Sequence, residues 1–189
     1  MSDRIYIHYG SDHFNPALFI PVCNCDWKPK PADDTGLWAS QEGKKIYHGS
    51  TYAGSVYEDG GTIYGWREWC EDSGFHIEKL KTFFRFKLSE GANVVTLKDP
   101  ADLISLPKTK PWKLKDNSGI LSLSEGQMVT IEQLEEFYKK NPCFLDYEKM
   151  AADGVDAIEL RNSYLFRDCL DTWDCDCIVV MNPKVIEEL

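Results

Sequence analysis

Strand-type and helix-type runs do not alternate regularly along this chain, and that order limits the folds open to it. Residues 4–9 alternate and are rich in Ile and Tyr. Five further β-type runs follow: "GLWAS" at 36–40, "KTFFRFKL" at 81–88, "ANVVTLK" at 92–98, "DAIEL" at 156–160 and "CIVVM" at 177–181. "YGWREWCED" at 64–72 sets Trp66, Trp69 and Cys70 on one face of a short helix. Thr130 and Gln133 fit a capping box that opens a helix to about residue 140. Asp146 opens another, "YEKMAAD", stopped at Gly154. A doubly wound parallel sheet needs strand and helix in turn. The order here predicts an α+β domain with a mainly antiparallel, split β-sheet.

The 189 residues suffice for one core, so residues 1–189 read as a single domain. Two polar, Gly- or Pro-marked stretches, at about 41–62 and 107–127, read as surface excursions. A net charge of −10 disfavours non-specific binding to nucleic acid, which rests on neutralising phosphates. The segment 79–87, "KLKTFFRFK", interleaves four basic side chains with three Phe. It reads as a strand with Phe inward, or as a phosphate-binding surface. Seven cysteines and an N-terminus without an apolar stretch predict a cytoplasmic chain with reduced thiols. No run has the roughly 18 apolar residues of a membrane span. Cys23-x-Cys25 and Cys175-x-Cys177 are spaced too tightly for an ordinary zinc site, so neither metal nor disulfide is expected.

Three short elements stand out together. The first strand ends in His8-Tyr9-Gly10; "GLWAS" leads, past the first excursion, to the aromatic helix; and Asp174 and Asp176 enter the run "WDCDCIVVM". In this order the chain resembles the ADP-ribosyltransferase superfamily, in the His-Tyr-Glu branch that includes diphtheria toxin and the poly(ADP-ribose) polymerases. His8 matches the branch's histidine, Trp38 its first aromatic, Tyr64 or Trp66 its second, and Asp176 its glutamate. His48 of "KKIYHGS" sits in a similar setting but follows "GLWAS", and the family order favours His8.

The resemblance implies an ADP-ribosyltransferase-like fold and NAD+ as substrate, with transfer of ADP-ribose to an acceptor. A protein acceptor suits the acidic chain better than nucleic acid. It implies nucleotide contacts from His8, Tyr9, Gly10, Trp38, Ser40, Tyr64 and Trp66, and catalytic roles for Asp176 and His8. Cleaving the nicotinamide–ribose bond builds positive charge on the ribose, which a carboxylate stabilises. Aromatic rings give the flat nicotinamide a face. A histidine can hold ribose hydroxyls, and a glycine lets a ligand approach the backbone. The chain has Asp where the branch has Glu, Trp where it has Tyr, and one residue between His8 and Gly10. These departures carry the alternative: a non-catalytic nucleotide- or protein-binding domain of the same fold.

Overall fold

The apolar run near the C-terminus forms an interior strand because both of its faces are apolar. Cys177–Val180 (β11) is buried at every residue, as a strand covered on both sides must be. The structure is a computed structural model that describes residues 4–25, 28, 30–109, 120–122, 128–130, 145–167, 170 and 172–189. The expected helix to residue 140 and most of the second excursion lie outside the described residues.

The other strands are Tyr6–Tyr9 (β1), Leu37–Gln41 (β2), Lys44–His48 (β3), Thr51–Val56 (β4), Thr62–Ile63 (β5), Phe83–Leu88 (β6), Val94–Leu97 (β7), Ile120–Ser122 (β8), Met128–Thr130 (β9), Ala157–Leu160 (β10) and Ile186–Glu188 (β12). Two helices are described, Trp66–Ser73 (α1) and Tyr147–Ala152 (α2). Seven strands pair in the order β12-β6-β1-β2-β11-β10-β7. All of these pairings are antiparallel except β10 with β7. The molecule is thus α+β and mostly sheet. The two halves of this sheet are joined through β2, which pairs with β11 through Leu37, Trp38 and Ala39 and with β1 through Ser40 and Gln41, and β3-β4-β5 form a separate sheet.

The sequence separates the two faces of the central sheet by alternation. One face carries Tyr6, Ala39, Phe84, Phe86, Ile178 and Val180. The other carries Ile158, Leu160, Cys177 and Val179, covered by Tyr147 and Met150 of α2 and by Phe166 and Trp173. Gly36 lets β2 come against β11. It sits at φ +65°, and a Cβ there would meet a Val179 methyl at 2.8 Å and the Val180 carbonyl oxygen at 3.0 Å.

The first excursion is a twisted antiparallel sheet. Its outer strand β3 is exposed throughout, but its base is not: Ser55, Tyr57 and Ile63 are buried. The tip is a surface feature, as the Gly-rich sequence suggests, whereas the base belongs to the core. Among the described residues, no helix is long and apolar enough to cross a membrane.

Candidate functional site

The three motif-bearing strands β1, β2 and β11 are neighbours. A cleft of about 500 Å³ opens along them, within the range of roughly 300–1,000 Å³ usual for small-molecule sites. Its sheet side carries His8, Tyr9, Trp38 and Ser40, with Cys175 and Cys177 from the approach to β11. Its helical side carries Trp66 and Trp69 of α1, then His76 and Lys79. Trp173, Asp174, Lys30, Asp33 and Asp34 also line it, with Lys30 paired to Asp33. A second hollow of about 590 Å³, by Arg4, Tyr6, Lys87 and Glu187, has a single aromatic ring and none of the residues singled out by motif.

Two aromatic groups line the cleft. Phe75, Trp69, Trp66 and His76 form a closed cluster, with centroid distances of 6.4, 4.8 and 5.9 Å in turn and 6.5 Å from His76 back to Phe75, and its Trp66, Trp69 and His76 line the cleft. In the second group, Trp38 meets Trp173 at 5.1 Å, and Trp173 stacks on Tyr147 at 6.3 Å. Two polar atoms of cleft-lining residues, Trp38 Nε1 and Thr172 Oγ1, are buried without a hydrogen-bond partner.

Ser40 fixes the helical side to the sheet. Its hydroxyl donates to the Asp176 carbonyl (3.1 Å) and accepts from the Trp66 backbone N–H (2.8 Å) at the start of α1. Gly65 makes that approach possible, since a Cβ there would lie 3.1 Å from the Ser40 Cβ. Glu68 caps the helix by accepting from the Gly65 N–H. Ser40 thus acts as a positioning residue. Gly10, at φ +101°, does not line the cleft; Lys79 packs along it. Tyr64 contributes backbone groups and does not line the cleft.

Asp176 does not line the cleft. It is 3% exposed and its carboxylate lies behind the wall. Oδ1 accepts from the Ser163 N–H at 2.7 Å; Oδ2 accepts from the Tyr57 hydroxyl at 2.9 Å and the Tyr64 N–H at 3.2 Å. Burial and the Asp176 charge push the Tyr57 hydroxyl far up, which keeps it a donor. Arg161 lies over the Tyr57 ring at 4.5 Å and bonds to Gln41 and to buried Glu159. Glu159 also accepts from Arg4, Tyr6 and Thr96. This network holds β10, β11, β2 and β1 together on the sheet face that carries Tyr6 and Ile178. The position matched to a catalytic carboxylate is here a structural anchor.

His8 lines the cleft at the end of β1. Its Nδ1 lies 2.7 Å from the Trp38 carbonyl, so a neutral ring protonated at Nδ1 donates there, and the ring packs on Phe84 at 5.1 Å. Burial holds its pKa below 6.5, against the pull of the carbonyl bond, and nearby Lys79 lowers it further. As pH falls below 6.5 the unfolded chain takes the proton before the folded one, so His8 contributes stability above that pH and loses it on acidification. The urea midpoint is therefore expected to drop between about pH 7.5 and about pH 5.5, and His8→Gln should flatten part of that drop. Equal slopes in both proteins would contradict this. His48 lies on exposed β3, away from the cleft.

Trp173, Thr172, His76 and Tyr57 were not singled out by motif. Trp173 opens "WDCDC", beside a marked segment, and was readable as a neighbour. Tyr57 sits in a Gly-rich stretch with no periodic signal. Among the described residues, no group of three or more His, Cys, Asp or Glu side chains is arranged to hold a metal. No family model, curated protein or solved structure matches the chain.

Proposed function

We propose that the cleft binds NAD+ and that the protein is an ADP-ribosyltransferase-like domain. One observation carries the reading. The segments that resemble the family's three motifs are adjacent strands, and five of the seven expected nucleotide contacts, His8, Tyr9, Trp38, Ser40 and Trp66, line one aromatic cleft. The tryptophan rings that line it suit a flat ring system. Lys79 supplies positive charge at the same cleft for a diphosphate, whereas Lys30 is paired with Asp33.

Transfer of ADP-ribose to a protein acceptor is the activity the resemblance implies. A carboxylate serving it must reach the ribose from inside the cleft. Asp174 is exposed and lines the cleft two residues before Asp176, so the transition-state charge is assigned to Asp174. The second reading, a domain that binds the nucleotide without turning it over, is favoured by the commitment of Asp176 to three donors.

Nicotinamide release from NAD+ separates the two. For a transferase, Asp174→Asn should lower turnover by about a hundredfold to a thousandfold and leave NAD+ affinity nearly unchanged. Binding without release establishes the second reading. A folded protein that neither binds nor cleaves NAD+ defeats both.

A further inference from the structure

The cleft wall holds a feature that NAD+ binding does not use. Cys175 and Cys177 flank Asp176, whose carboxylate is held behind the wall by the Tyr57 hydroxyl and the Tyr64 and Ser163 N–H groups. Neighbours of a residue held on one side of a strand project to the other. Both cysteines line the cleft. Cys175 lies in a bend just before β11 begins at Cys177. A bend shortens the span between residues two apart, which a fully extended strand would stretch toward the limit for a disulfide. The neighbouring Cys177 side chain and burial hold the Cys175 thiol well above its ordinary range, so Cys175 stays protonated and is the thiol that acts second. Both thiols are free, and Cys177, 9% exposed, is more open than Cys175 at 3%.

We propose that Cys175 and Cys177 form an oxidisable dithiol that closes to a disulfide on the cleft wall when a hydroperoxide enters. The Cys177 thiolate attacks the peroxide, the O–O bond breaks, and a sulfenic acid forms with release of water or an alcohol. The Cys175 thiol then attacks that sulfur, the S–S bond forms, and the sulfenic oxygen leaves as water. Two thiols together lose two electrons and two protons, and the peroxide is reduced by the same two electrons. The bond joins residues in contact with the rings that line the cleft, so its formation reshapes a ligand-binding surface. A dithiol in reduced form is the resting state, and thiol reductants restore it.

The test is mass spectrometry of the native, full-length protein after equimolar hydrogen peroxide, and it needs no NAD+. The expected result is loss of two hydrogens from the intact mass. The loss should map to a 175–177 link in the tryptic fragment 168–184, which also contains Cys169, and a thiol reductant should reverse it. Fragmentation between Cys169 and Cys175 separates the possible pairs. Cys177→Ser should abolish the link, and if that variant does not fold, peptide mapping of the wild type decides alone. Overturning results are an unchanged mass, a link between other cysteines, or oxygen addition without a link. Failure of NAD+ binding leaves this measurement intact, and the reverse also holds.

Discussion

Replacing Asp176 with alanine is expected to lower the unfolding free energy by about 3–5 kcal/mol. The carboxylate receives the Tyr57 hydroxyl and the backbone N–H groups of Tyr64 and Ser163, all at 2.7–3.2 Å. Each buried donor left without a partner costs roughly 1–3 kcal/mol, and water has little access to a residue 3% exposed. For a domain with a total stability of about 5–15 kcal/mol, that loss is a large share. Asparagine in its place should also be costly, because its amide N–H groups meet donors where a carboxylate oxygen accepted. Urea unfolding measures both. Asp174→Asn is the comparison: at an exposed side chain it should cost less than either change at Asp176. Should Asp176→Ala unfold like the wild type, the anchoring role assigned to this carboxylate is wrong.

The second large effect is on binding. Trp38→Leu should weaken NAD+ by about tenfold to a hundredfold, the loss of one base- or ring-stacking contact worth roughly 1–3 kcal/mol. Trp38 stands on central β2, paired with Val179 of β11, and its ring lines the cleft. Its indole Nε1 is buried without a partner, so leucine removes an unsatisfied donor and breaks no hydrogen bond. Leucine also keeps an apolar side chain against Trp173. The change also removes ring packing against Trp173, so calorimetric titration and urea unfolding on the same preparation separate its effect on the ligand from its effect on stability. Unchanged affinity with an intact fold would take Trp38 out of the site.

Much of this arrangement was legible from local pattern. The runs that become β1, β2, β6, β7, β10 and β11 were each marked by alternation or by apolar continuity. Their failure to alternate with helices pointed correctly to an α+β molecule with mainly antiparallel strands. The aromatic helix was marked by its spacing and forms Trp66–Ser73. What the sequence left open was orientation. Alternation in Cys175-Asp176-Cys177 requires thiols and carboxylate to face opposite ways, but β11 is buried on both faces, so period two alone does not say which side meets the cleft. The family resemblance put the carboxylate there, whereas the folded chain puts the thiols there.

The network behind the wall was hidden for a different reason. "DAIEL" reads as an apolar strand, yet Glu159 is fully buried and bonded to Arg161. Two opposite charges two residues apart at the end of an apolar run are a legible sign of a same-face ion pair. Tyr57 had no such sign. It reaches Asp176 across 119 positions of sequence, and a contact that distant depends on how a Gly-rich hairpin folds back.

The most direct test of the central claim is titration of NAD+ into the wild-type protein, followed by heat and by indole fluorescence. Four tryptophans line the cleft, so occupancy should change emission in step with heat, saturating at one NAD+ per chain. A folded protein that shows neither signal at NAD+ concentrations on the order of millimolar, where an affinity of even about 4 kcal/mol would register, would contradict it.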